Sequence, residues 1–199
     1  SQLEKRKQEL PDATVVCYVN TTAEVKALSD VACTSANAVE VVESLPKGKS
    51  ILFVPDKNLG RYVASRTGKQ MTMWEGFCPT HHHLKREDVL QAKEQHPEAL
   101  VLVHPECRPE VIELADVVSS TTGIINYAKQ SGAQEFIVAT EIGILHPLRK
   151  QCPDKKFYMA SDKLICPNMK LTTLEAVHSA LVNLEPRVEV PKEIRERAI

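Results

Sequence analysis

A histidine and a glutamate two residues apart, His104-Pro105-Glu106, follow the apolar run ALVLV (99–103). At the carboxyl end of a buried strand, such a pair suits acid–base work, because imidazole and carboxylate both exchange protons close to neutral pH. The plainer alternative is a strand-ending turn. Tyr18-Val19-Asn20 closes a similar run, VVCYV (15–19), where a strand-edge packing residue and a turn former compete with a binding role. Ser35 and Thr121 stand just before helical stretches. Both types are preferred N-caps, and a cap can also present its hydroxyl and backbone N–H groups to an anion. Asp56 and Glu141 follow two further apolar runs and read as cap or turn carboxylates. Cys78 and Cys166 each precede proline in a loop, in GFCPTH and LICPNM. Three adjacent histidines, His81-His82-His83, cannot all point one way. His81, three residues after Cys78, is close enough to face the same cavity, whereas His82 and His83 read as a solvated helix start.

The six cysteines contain no C-x-x-C pair, which excludes a zinc ribbon or a thioredoxin motif. With no secretory segment, a reducing, cytoplasmic setting is expected, in which free thiols pack as small hydrophobes. Cys17, Cys33 and Cys152 fit that description by position, and Cys78 and Cys166 do not.

The elements that must position these residues follow from periodicity. ILFV (51–54) and EFIVA (135–139) join the two runs above as short buried strands. AEVKAL, NAVEVVESL, LGRYVAS, LKREDVLQAKEQ, EVIELA, GIINYAKQ and LTTLEAVHSALVNL read as helices between and after them. Alternation of this kind predicts α/β layers with parallel strands. It also repeats. Residues 11–45 lie over 97–131 at a constant offset, with Pro11 on Pro97, Val15 on Val101, Glu24 on Glu110 and Asp30-Val31 on Asp116-Val117. ILFVPD (51–56) continues over FIVATE (136–141), and Cys78-Pro79 over Cys166-Pro167.

The chain is therefore expected to hold two copies of one α/β unit, each with three or four strands and a terminal Cys-Pro loop. The expected division is 1–12 as the end of a helix from a preceding domain, 13–98 and 99–185 as two αβα domains, and 186–199 as a tail returning to that preceding domain. In parallel units, ligands bind at the carboxyl ends of strands near helix N-termini, so the polar residues above collect at equivalent corners.

Composition sets bounds on function. Lys plus Arg is 25 against 26 for Asp plus Glu, and this balance of −1 leaves no basic excess for general nucleic-acid binding. No run of 18 apolar residues exists to span a membrane. With 43% hydrophobic residues a real core can be buried.

Two thiolates are too few for a metal cluster or a zinc site, but a third unit would supply a third. Three thiolates on a [4Fe–4S] cluster leave one iron open to substrate oxygens. A rival reading is a mononuclear zinc or iron hydrolase built on His81, His104 and Glu106.

YVNTTAEVKALSD, CTSANAVEVV, PDKNLGRYV, GFCPTH, LVHPE, SSTTG, ATEIGILH and CPNMKLTTLEAV together resemble the quinolinate synthases, the A-type enzymes of bacterial NAD biosynthesis. The resemblance covers essentially the whole chain. It implies three αβα domains around a pseudo-threefold axis, two of which are here, with one [4Fe–4S] cluster at their junction. It implies condensation of iminoaspartate (iminosuccinate) with dihydroxyacetone phosphate to quinolinate, phosphate and water, and an aspartate oxidase or dehydrogenase as the supplier of iminoaspartate. By the same resemblance Cys78 and Cys166 are two of three cluster ligands, the third lying outside this chain. Tyr18, Val19, Asn20, Ser35, His104, Pro105, Glu106 and Thr121 bind substrate. Glu106, with His104, Tyr18 and His81, serves catalysis. Ser119 stands where the family often has glycine. The alternative is an inactive fragment that keeps the fold without cluster or turnover.

Overall fold

The computed structural model describes residues 1–198. Ile199, at the end of the expected 186–199 tail, lies outside the described residues. The chain opens with α1 (Gln2–Glu9), then runs β1 (Thr14–Tyr18), α2 (Ala23–Lys26), β2 (Val31–Cys33), α3 (Ala38–Ser44), β3 (Ile51–Val54), α4 (Lys57–Thr67), β4 (Thr72–Met73), α5 (Pro79–His82) and α6 (Arg86–Gln95). The second series is β5 (Leu100–Val103), α7 (Pro109–Ile112), β6 (Val117–Val118), α8 (Thr121–Gln130), β7 (Glu135–Ala139), α9 (Leu145–Gln151) and β8 (Lys156–Met159). Helices α10 (Leu174–Asn183) and α11 (Lys192–Arg197) follow.

The two series build two parallel four-stranded sheets, in the orders β2-β1-β3-β4 and β6-β5-β7-β8. The second order is the first moved along by four strands, as the repeat predicts. In the first sheet Val15 pairs with Leu52 and Val16 with Phe53. Alternate residues therefore face opposite layers. Val15, Cys17, Leu52 and Val54 meet Leu3 of α1 and Val25 of α2. Val16, Ile51 and Phe53 meet Ala38 and Val42 of α3 and Leu59 and Val63 of α4. The second sheet is covered likewise, by α6 and α7 on one face and by α8 and α9 on the other. Covering both faces explains why these strands are apolar throughout. Each unit is thus a three-layer αβα sandwich.

Local devices repeat as well. The Asp30 carboxylate accepts from Val15 N–H and the Asp116 carboxylate from Val101 N–H, both at 2.7 Å. Lys69 donates to the carbonyls of Val42, Glu43 and Leu45 at the end of α3. Lys155, at the same offset, donates to Ala128 and Ser131 at the end of α8. Each ammonium satisfies carbonyls that a helix end leaves without partners.

Two expectations need correction. Ser35 and Thr121 are not the caps. Asn37 stands at the N-cap of α3, and its Oδ1 accepts from the Thr34 N–H (2.7 Å) and hydroxyl (2.9 Å). That closes the turn and leaves Ser35 outside it. Before α8 the cap is Ser120, whose extended backbone lets its hydroxyl turn back to accept from Gly123 N–H at 3.2 Å. Thr121 is already the first helical residue.

Candidate functional site

The carboxyl edges of the two sheets face one cleft of about 460 Å³. Tyr18, Asn20, Ser35, Cys78 and His81 reach it from the first unit, and His104, Glu106, Thr121 and Cys166 from the second. Of the residues singled out in the sequence, Val19 and Pro105 are not on its wall. Val19 is exposed and Pro105 is buried.

Each cysteine is placed by a carboxylate on its own sheet. Asp56 caps α4, with Oδ1 accepting from Leu59 N–H and Oδ2 from Cys78 N–H, both at 2.7 Å. Glu141 accepts from Gly143 N–H at 2.7 Å and from Cys166 N–H at 3.3 Å. The cap readings of both carboxylates hold, and each cap also fastens a cysteine loop. Gly76, three residues into the first of these loops, has its place because an added Cβ would stand 2.5 Å from the Pro55 carbonyl oxygen. Burial raises the Asp56 pKa, in spite of its N–H partners. For Glu141 burial pulls the same way, but the Lys170 ammonium 2.8 Å away and the two N–H donors outweigh it and hold the carboxyl below its usual range.

His81 sits on α5, started by Pro79 at its first position. It is 7% exposed, with Nδ1 2.9 Å from Glu106 Oε2 and Nε2 2.9 Å from the Thr140 hydroxyl. Burial opposes its charge, but contacts with Cys78 and Glu106 prevail and raise its pKa to about 9. It is therefore an imidazolium at neutral pH. Burial would raise Glu106, yet its bond with His81 and the neighbouring imidazoles hold it below the ordinary carboxylate value. The two form a buried ion pair across the units. His104 stacks on His81 with ring centroids 4.4 Å apart, and burial and the His81 charge depress it to about 3. Its Nδ1 accepts from Glu106 N–H at 3.3 Å, so the ring proton resides on Nε2. The Tyr18 phenol is pushed up to about 12 by burial and the Glu106 charge, and stays a donor.

The expected division of the histidine run needs one correction. His83 is exposed, but His82 is half-buried. It stacks on Phe77 at 4.1 Å, and its Nδ1 is 3.0 Å from Asn58 Nδ2. Asn58 and Thr140 are the residues that sequence reasoning undervalued. Both are almost fully buried, and both reach the other unit. A threonine closing an apolar strand and an asparagine just inside a helix were the available signals.

The donor set can be tested against a metal. Cys78, His81 and Glu106 bring a thiol, an imidazole nitrogen and a carboxylate oxygen within 4.8 Å of one another. Both His81 nitrogens, however, already have partners, and His104 Nδ1 is occupied. The trio His81, His104 and Glu106 is thus spent on hydrogen bonds, which argues against the mononuclear hydrolase. The two half-buried thiols at matching corners, each held through its backbone, fit the soft ligands of an iron–sulfur cluster.

Fold and site together define a tandem αβα protein whose two units share one thiol- and imidazole-lined cleft. The chain belongs to the quinolinate synthetase A protein family, whose model matches residues 1–199. It is 54% identical over 197 residues to a quinolinate synthase of Desulforudis audaxviator, covering 99% of this chain and 65% of that protein. It is 55% identical over 196 residues to one of Methanosarcina barkeri (98% and 64%) and 59% over 188 to one of Methanoregula boonei (94% and 62%). The chain thus spans a little under two thirds of the length of these relatives. Among the described residues, no helix is long and apolar enough to cross a membrane.

Proposed function

We propose that the whole protein to which this chain belongs is a quinolinate synthase of NAD biosynthesis. It would condense iminoaspartate with dihydroxyacetone phosphate to quinolinate, phosphate and water, with an aspartate oxidase or dehydrogenase supplying the iminoaspartate and the cytoplasm as its setting. The observation that carries this reading is the convergence of Tyr18, Asn20, Ser35, His81, His104, Glu106, Thr121, Cys78 and Cys166 on one cleft, in a chain that belongs to this family.

In this reading Cys78 and Cys166 hold two corners of a [4Fe–4S] cluster, and a third domain, outside this chain, provides the remaining thiolate. The cluster, when bound, supplies a Lewis-acidic iron for substrate oxygens. The chain's own residues do the rest. Glu106 is the carboxylate that takes and returns protons, and His81, a cation beside it, keeps it ionised until a proton arrives. His104 offers a neutral N–H from Nε2. Tyr18, a phenol at neutral pH, donates to a substrate oxygen, with Asn20 beside it. Ser35 and Thr121, released from capping, are free to bind the carboxylate and phosphate groups of the substrates beside helix starts.

The test is anaerobic assay of the full-length, cluster-loaded protein with enzymatically generated iminoaspartate and dihydroxyacetone phosphate. Quinolinate formation is expected. A cluster-loaded protein that forms none would refute the proposal and favour the inactive-scaffold reading.

A further inference from the structure

Asn58 belongs to the first unit, two residues after the Asp56 cap, and its side chain leaves that unit. Its Nδ2 donates to the Glu106 carbonyl at 3.0 Å and to His82 Nδ1 at 3.0 Å. Both amide hydrogens are thereby used. The residue is 1% exposed, and its Oδ1 is buried with no hydrogen-bond partner. An amide buried with an unpaired oxygen is a poor choice for stability alone, and such local violations gather at functional positions.

The turn it grips is otherwise closed from within. Cys107 N–H donates to the His104 carbonyl at 3.0 Å, and Glu106 N–H to His104 Nδ1. The Glu106 carbonyl points out of that turn, and Asn58 takes it. Backbone and carboxylate of Glu106 are then held from opposite sides, by Asn58 and by His81, both from the first unit. The repeat shows that this is no generic device. The counterpart of Asn58 in the second unit, by the alignment of ILFVPD on FIVATE, is Gly143, which has no side chain to reach anything.

We infer that Asn58 is a positioning residue for the proton-transferring Glu106, clamping its main chain from the neighbouring unit. The inference rests on the acid–base role proposed for Glu106. A carboxylate allowed to swing loses the alignment on which proton transfer depends, and a misplacement of this kind costs up to about 100-fold in rate.

The experiment compares full-length wild type with Asn58→Asp, which keeps size and removes the amide donors, and with Asn58→Ser, which keeps one donor at smaller volume. The expected result is a kcat lowered roughly 10- to 100-fold in Asn58→Asp, with KM changed by less than about threefold and iron content unchanged. Asn58→Ser should fall between it and wild type. Hydrogen exchange, followed by mass spectrometry on the same proteins, should rise in the peptide spanning 104–113 and not in β1 or β3. A merely structural amide would lower the melting temperature and leave kcat, measured well below melting, at the wild-type value. That outcome, or unchanged exchange across 104–113, would overturn the inference. If the wild type itself forms no quinolinate, the functional proposal fails, and the exchange measurement alone decides the clamp.

Discussion

The two units share a plan and differ in what their cysteine loops touch. In both, a carboxylate at the end of the third strand caps the next helix and holds the cysteine N–H. In both, a lysine closes the end of a helix. Beyond that the units part. Three residues after Cys78 comes His81, buried against Glu106 and Thr140 of the other unit. Three residues after Cys166 comes Met169, 58% exposed. The first loop is anchored in a seam between units. The second is anchored to its own sheet and to an exposed ion pair, Glu141–Lys170. The strand ends differ in the same sense, with Tyr18 and Asn20 where the second unit has His104 and Glu106. Duplication thus supplied the scaffold, and divergence at the strand ends separated the binding groups from the proton-moving ones.

The largest effect should come from treating the cysteines as equals. Cys78→Ala and Cys166→Ala, each in the full-length protein, should abolish stable iron and sulfide loading and with it turnover. Iron retained by either variant would break the proposed equivalence. Next come the strand ends. Glu106→Gln should lower kcat by about 10²- to 10⁴-fold. Its counterpart Asn20→Ala should mainly raise KM, by about tenfold, as expected for one lost hydrogen bond. Similar kcat losses at both positions would erase the division of labour.

The helix-end lysines test the scaffold. Lys69→Met and Lys155→Met should each destabilise by about 1–3 kcal/mol, the range for charged hydrogen bonds to part-buried carbonyls. A large inequality in chemical denaturation would show that the units do not carry the device equally.

The smallest effect concerns acid. His104 takes up a proton near pH 3 in the folded protein and near 6.5 in the unfolded chain. Stability from this group is full above pH 6.5 and declines as pH falls from there toward 3. His104→Gln should flatten that limb of the melting curve. Tyr18→Phe, at the matching position of the first unit, should leave it unchanged, because Tyr18 does not titrate below about 12.

The sheet orders, the position of the site and the carboxylate caps were legible because they are periodic or local. Apolar runs bounded by polar residues mark strand ends, and an offset that keeps Asp30 over Asp116 predicts one topology twice. The connections across the seam were not legible. Asn58 to Glu106, His81 to Thr140 and His82 to Asn58 join residues far apart in sequence, through a packing angle that no repeat encodes. Ser35 and Thr121 were misjudged as caps for a smaller reason. A Ser or Thr near a helix start is ambiguous by one or two positions, and the backbone of Ser120 and the Asn37 side chain settle which residue turns back.

The lysine clamps carry one more consequence. Lys69 spends all three ammonium hydrogens on main-chain oxygens. Neither it nor Lys155 has charge to spare for an incoming phosphate, and both are half-buried. Against acylating reagents they should be among the slowest lysines of the chain to react. An acyl group forced onto either would leave a single N–H where three had served. Covalent labelling would then read the integrity of each sandwich separately, residue by residue.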